Sequence, residues 1–350
     1  MKRFDEFDDL ITLNDLKRID SFITRNHKLI DEERNNLLQY SLKKHKVSKD
    51  LLNLILKKKI DPNIPNDNNL LPLDISINTM QSNEIISILL KKTKNKYIQS
   101  PLTPYSALYL YLEKAEISLD LVQHMLKKKS NPNYFPEKSA HPFVLLLKNS
   151  CNETIKVECL NLLSKHHLSF GNVTEKLVYL LENSENTNLN FKFINFFLEI
   201  NPLLSESSFK TILEQKNISI DIIKLLFNYK MDITTKKVQF SPLHSICTNK
   251  GLSVEYLKLF VENKADLNIK NQDSNSILHL FSKNSKSSVQ IIEYLFQFEI
   301  KFYSNHNGQT ALHLISDNNL TPNIFIDLFL QKKCDPKVED KNGKTFFDYL

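Results

Sequence analysis

Thr310-Ala311-Leu312-His313, with Asp335 of Cys334-Asp335-Pro336 lying 22 residues after the histidine, decides how the whole chain is read. Alone it is the apolar start of a helix and a later turn. Taken as a template, it recurs. Positions equivalent to His313 fall at Gln39, Asp74, Tyr109, Val144, Tyr179, Lys210, His244, His279 and Asp348, separated mostly by 35 residues, with extremes of 31 and 35. The residue before each anchor is apolar: Leu38, Leu73, Leu108, Phe143, Val178, Phe209, Leu243, Leu278, Leu312 and Phe347. Sixteen residues after the anchor a second apolar position recurs as Ile55, Leu90, Met125, Leu160, Leu226, Phe260, Leu295 and Phe329, with Asn195 the exception.

Between these positions apolar residues recur at helical spacing, as in Leu121, Val122, Met125 and Leu126, so each unit is expected to be a pair of amphipathic helices. Ser48, Ser118, Ser219, Ser253 and Thr321 stand before the second helix as N-caps. Asp50, Asp120, Asp221 and Glu255 follow two residues later, where negative charge suits the helix dipole. Turn pieces such as Asp61-Pro62-Asn63 and Asn131-Pro132-Asn133 close the unit. Length varies between turn and next anchor, as expected of connections that project from stacked pairs. Backward extension places an irregular capping pair over residues 1–30, divergent units over 31–205 and better-matching units over 206–350, the last incomplete. The short link from Asn201 to Lys210 is expected to mark a bend or a weak joint.

Composition agrees with an array rather than an all-β fold, because 4 Gly leave few residues for tight hairpins. A net charge of +6 over 350 residues is well below the one-sided excess of a dedicated nucleic-acid binder. The four cysteines, Cys151, Cys159, Cys247 and Cys334, have no metal or disulfide spacing. Neither a signal peptide nor a membrane span is evident, so an intracellular protein is expected, cytoplasmic with the nucleus as alternative.

Ser241-Pro242-Leu243-His244, Thr310-Ala311-Leu312-His313 and Asp340-Lys341-Asn342-Gly343-Lys344-Thr345 resemble the T-P-L-H-x-A and D-x-x-G-x-T signatures of ankyrin repeats, and Lys264-Ala265-Asp266-Leu267-Asn268 resembles their G-A-D-x-N turn. The resemblance is specific from about residue 241 and diffuse before it. It implies an all-α-dominated solenoid of stacked helix pairs joined by hairpin-like loops. It departs from the 33-residue family period by about two residues, placed around Lys250-Gly251-Leu252.

His244, His279 and His313 sit one repeat apart and do not converge, so a structural role between hairpins is expected in place of metal binding or catalysis. No phosphate loop or catalytic motif is present, and neither enzymatic activity, cofactor nor metal is expected. The resemblance implies protein binding through the hairpin tips: Lys237, Val238 and Phe240; Gln272, Asp273 and Asn275; His306, Asn307 and Gln309; Lys341, Asn342 and Lys344. The partner expected is a protein held by a monomeric array, not nucleic acid or membrane. The alternative is an electrostatic adaptor whose lysine edge, Lys58, Lys92 and Lys128, meets an acidic partner, anionic lipid or nucleic acid.

Overall fold

A computed structural model describes residues 2–98, 105–114, 116–171, 173–183, 187–200, 210, 212–214, 218–229, 242–247, 253–283, 288–317 and 322–349. Among them the regular structure is helical, with two isolated β-bridges, Ile30 to Asn36 and Lys270 to Ser276, at hairpin necks. The chain forms two compact units, Met1–Gly171 and Asn172–Leu350.

In the first unit α1 (Lys2–Thr12) and α2 (Leu16–Asn26) bury one face each, and the rings of Phe7 and Phe22 stack at 5.1 Å. The following pairs are α3 (Leu37–Lys44) with α4 (Lys49–Lys57), α5 (Pro72–Asn78) with α6 (Asn83–Lys92), α7 (Ala107–Leu112) with α8 (Leu119–Lys127), and α9 (Pro142–Lys148) with α10 (Glu153–Lys165). Inner helices α3, α5, α7 and α9 pack in one row, and α2, α4, α6, α8 and α10 pack in another. The repeated apolar positions are the core: Leu38, Leu73, Leu108 and Phe143 are buried on the inner row, Ile55, Leu90, Met125 and Leu160 on the outer. Each such side chain contributes roughly 1.5–3 kcal/mol by leaving water. Ser48 caps α4, its Oγ accepting from the Leu51 N–H at 3.2 Å, whereas Ser118 stands at the cap of α8 without that bond.

The second unit contains α11 (Val173–Asn183), α12 (Thr187–Ile200), α13 (Ile220–Asn228), α14 (Pro242–Cys247), α15 (Val254–Glu262), α16 (Ile277–Lys283), α17 (Val289–Leu295), a 3₁₀ segment Leu312–Asp317, α18 (Pro322–Gln331) and a final 3₁₀ turn Phe346–Tyr349. Ser219 caps α13 at 3.3 Å from the Ile222 N–H, and Ser253 caps α15 by position only. The 201–209 link, Thr321 and 250–252 lie outside the described residues.

Two expectations are corrected. Tyr179 does not open an inner helix; it lies in the middle of α11, and the connection after α10 spans 166–172, half the length of 58–71. Glu175, Lys176 and Leu177 are good helix formers with no turn residue among them, so the helix starts early and takes the place of a projecting loop. Phe347 does not enter the core: it is 58% exposed, and the neighbouring Phe346 is buried in its place.

Five outer helices, α4, α8, α10, α15 and α18, end in a residue of left-handed backbone, the place where glycine is usual. In four of them it is lysine, Lys59, Lys129, Lys264 and Lys333 having φ of 61, 67, 61 and 63°, and after α10 it is His167 at 64°. The Lys129 N–H bonds the Leu126 carbonyl at 2.9 Å and the Ser130 N–H the Met125 carbonyl at 3.1 Å, closing a Schellman turn. A side chain at this φ is strained by about 1 kcal/mol. Lys129→Gly is therefore expected to stabilise the first unit by about 0.5–1 kcal/mol, whereas Lys127→Gly, inside the last helical turn, is expected to destabilise it by a similar amount. Urea midpoints of the two variants that move in the same direction would contradict this account of the cap.

Candidate functional site

The loops that project between helix pairs are built by one local device. In five of them an Asp or Asn opens the tip and its Oδ1 accepts from the N–H groups two and four residues on. Asn271 accepts from Asp273 at 3.0 Å and Asn275 at 2.8 Å, Asn305 from Asn307 at 2.9 Å and Gln309 at 3.0 Å, and Asp340 from Asn342 at 2.8 Å and Lys344 at 3.0 Å. Asp31 and Asn66 make the same pair of bonds in the first unit. The fourth tip residue takes left-handed backbone: Arg34, Asn69, Ser274, Gly308 and Gly343. At Gly308 glycine is also sterically required, because a Cβ there would meet the Lys341 backbone nitrogen at 2.9 Å.

That close approach is a tip-to-tip bond. The His306 N–H donates to the Asp273 carbonyl at 3.0 Å, the Lys341 N–H to Asn307 at 3.0 Å, and in the first unit Asp67 to Glu33 at 3.1 Å. Asn305 Nδ2 adds a bond to Asn275 Oδ1 at 3.0 Å, as Asn66 does to Asn35 at 2.8 Å.

The anchor residues fasten each tip to the preceding helix. His279 Nδ1 accepts from the Ser276 N–H at 3.1 Å, so the ring proton sits on Nε2, which donates to the Gln309 carbonyl of the next loop at 2.9 Å. His313 repeats this with Thr310 at 3.0 Å and Lys344 at 3.3 Å, and His244 Nε2 donates to Asn275 at 2.9 Å. Gln39 does the same without a ring, its Oε1 accepting from Asn36 at 3.0 Å and its Nε2 donating to Ile64 at 3.0 Å and Leu70 at 3.1 Å. Burial lowers the pKa of His244 and His279 against the opposing bond to the next loop's carbonyl, and at His279 the neighbouring Lys270, His313 and His244 lower it further.

The residues expected at the interface separate into two kinds. Gln272, Asp273, His306, Asn307, Lys341, Asn342 and Lys344 are exposed, while Asn275 and Gln309 are half-buried with their carbonyls taken by the histidines. Lys237, Val238 and Phe240 lie outside the described residues. Lys344 Nζ stands 5.5 Å from the centre of the Tyr349 ring, and the Tyr349 hydroxyl donates to Asp340 at 2.6 Å, which with tip N–H groups holds that carboxyl down at about 2 against partial desolvation.

The lysine edge is largely occupied. Lys58 Nζ bonds Asp20 at 2.8 Å and Thr24 at 2.7 Å, and Lys128 Nζ bonds the Thr93 carbonyl at 2.6 Å at the end of α6. Lys332 bonds the Phe296 carbonyl in the same way at 2.8 Å. Lys92 is exposed and one residue out of that register, where Thr93 stands.

The asparagines that the sequence places in the turns closing each unit have a further role, as links to the next unit. Asn63, Asn133 and Asn268 each spread an amide across the next unit: Asn268 Nδ2 donates to Glu299 at 2.9 Å and its Oδ1 accepts from Lys301 at 2.7 Å, and Asn133 does the same with His167 and Ser169. Asn63 accepts from Lys94 at 2.7 Å and reaches Lys92 at 3.4 Å. Their signal was an Asn two residues after the Asp or Asn of each turn.

Among the described residues no three His, Cys, Asp or Glu side chains gather as a metal site, and no helix is long and apolar enough to cross a membrane. Stacked helix pairs with hydrogen-bonded projecting tips define a helical repeat protein. Residues 243–340 match the family model of ankyrin repeats in three copies, and this stretch consists of ankyrin repeats. No curated protein matches the chain. Ankyrin repeats are generally protein–protein interaction modules and typically not catalysts. The same tip and anchor geometry recurs at Asp31, Gln39 and Asn66, outside the matched stretch.

A buried neutral histidine makes stability pH-dependent with a definite sign. With folded pKa values below the ordinary 6.5, His244 and His279 contribute stability that is complete above about 6.5 and lost as pH falls from there through the folded value. His279→Gln is expected to keep both bonds, as Gln39 does, and to flatten the fall in stability between about pH 7 and 5. Hydrogen exchange of the 276–310 amides at the two pH values checks this; an unchanged pH slope in the variant would refute it.

Proposed function

We propose that the chain is a non-catalytic intracellular scaffold, acting as a single chain, that holds a partner protein on the hairpin tips of residues 243–340 and their neighbours. Gln272, Asp273, His306, Asn307, Lys341, Asn342 and Lys344 make the contact, while Asn275 and Gln309 position it. Lys237, Val238 and Phe240 extend the same row by register. Residues 1–30 cap the array, 31–205 extend it and 206–350 carry the binding repeats.

One observation carries the reading: the tip side chains are exposed while the backbone beneath them is bonded from tip to tip. A surface held this way loses little conformational freedom on binding, so more of each contact appears as affinity. The outer-helix lysines offer no equal surface, with Lys58 and Lys128 committed inside the fold.

The test compares affinity capture by the unaltered chain, a tip variant (Gln272→Ala, Asn307→Ala, Lys341→Ala) and an outer-face variant (Asn53→Ala, Lys92→Ala, Lys258→Ala). The tip variant is expected to lose a set of proteins by at least about tenfold, roughly 1.4 kcal/mol, while the outer-face variant retains them. Equal retention by both variants, or loss only from the outer-face variant, would overturn the proposal.

A further inference from the structure

Arginine is distributed very unevenly in this chain. Of 46 basic residues only Arg3, Arg18, Arg25 and Arg34 are arginine, all within the first tenth of the sequence, and the remainder are lysine. Where lysine serves almost everywhere else, a confined set of arginines marks a task that the planar, five-donor guanidinium performs and the ammonium does not: two-pronged recognition of an oxyanion.

The fold brings three of the four together. Arg3 from α1 and Arg18 and Arg25 from α2 line one open cleft of about 810 Å³ on the end helix pair, and all three are exposed. Arg3 gives one N–H to Asn26 Oδ1 at 3.3 Å, and Arg18 Nε lies 3.4 Å from Asp15. Arg25 has no partner among the described residues, so most guanidinium donors in the cleft are free. Arg34 is elsewhere, with its Nε 3.8 Å from Asp67 at the first hairpin tips.

The cleft also has an apolar seat. Leu10 lines it, and Leu13, at the turn from α1 to α2, is 68% exposed. Its charge is balanced, because Glu6 and Asp9 share the lining with the three arginines and Asp15 pairs with Arg18. A cleft with no net positive field disfavours a dianionic phosphate or a polyanion, and leaves a single carboxylate, held by guanidinium hydrogen bonds, as the anion it can take.

We propose that this end face is a second docking site, distinct from the hairpin tips, for a partner segment that places one carboxylate side chain between the arginines and a neighbouring apolar side chain against Leu10 and Leu13.

Because the chain has only four arginines, its Nε–Hε signals in a ¹⁵N correlation spectrum number four, and Arg→Lys variants assign them. The probe is a synthetic hexapeptide of alternating glutamate and leucine. The signals of Arg3, Arg18 and Arg25 are expected to shift and saturate while that of Arg34 stays in place, and Arg25→Lys, which keeps the charge, is expected to weaken binding by about tenfold. Leu13→Ser is expected to weaken it as well. Four signals moving in parallel and returning at about 0.5 M salt would mean general attraction and overturn the site. So would undiminished binding by Arg25→Lys, no shift at millimolar peptide, or tighter binding of a phosphoserine version of the peptide. Loss of the tip-dependent partner described above leaves these shifts unaffected, so the two proposals fail separately.

Discussion

Everything in the repeat stack depends on one side chain that must bond in two directions. The third residue of an inner helix accepts from the N–H at the head of its own helix and donates to a carbonyl of the following loop, about one repeat away in sequence. Few side chains carry an acceptor and a donor at the right separation: neutral histidine does, with its two ring nitrogens, and glutamine does, with its two amide ends. His279 and Gln39 are these two solutions. Other residues at the position solve half of the problem. Asp74 accepts from Leu71 at 3.0 Å but has no donor while ionised, and its burial pushes the carboxyl up to about 6. Tyr109 reaches the Ala140 carbonyl at 3.1 Å. Where Val144 can do neither, His141 at the cap takes over, accepting from Phe143 at 3.2 Å and donating to Ser169 at 2.8 Å.

This constraint explains what was legible in the sequence. A residue tied both locally and one repeat ahead cannot drift in register, so the spacing survives where the signature letters do not, and the apolar residues beside it stay in the core. Leu38, Leu73, Leu243 and Leu312 are buried as their register requires. Legibility fails where a competing local preference is stronger. At Tyr179 a run of helix formers overrides the loop, and the spacing was kept without the structure it stood for. At Phe346 and Phe347 two adjacent rings were both available, and only packing selects which is buried. The left-handed lysines were invisible because nothing in a lysine's chemistry announces positive φ. The tips were legible as positions, from the Asp or Asn that opens them, but the split between exposed contacts and clamped carbonyls needed the bonds themselves.

The same bonds bear on function. A loop whose N–H groups are held by its own Asn and whose carbonyl is held by a neighbouring histidine has spent its backbone on the array and keeps only side chains for a partner. Substitution at Gln272, Asp273, His306, Asn307, Lys341 and Asn342 then alters the exposed side chains without changing the loop. Gly308 is the exception, since any side chain there collides with the next tip.

The surplus of lysine acquires a meaning different from its sum. Lys128 and Lys332 reach from one outer helix to the terminal carbonyls of the one before, and Lys46 reaches the Thr79 and Met80 carbonyls at the end of α5. Each places a cation at the negative end of a neighbouring helix, where the backbone has no partner of its own. A compact ammonium on a flexible stem suits this task, and a guanidinium fork offers no advantage there. The basic balance of the chain is thus partly consumed by its own helix ends. A charge count that treats every lysine as available to a polyanion overstates what the surface presents.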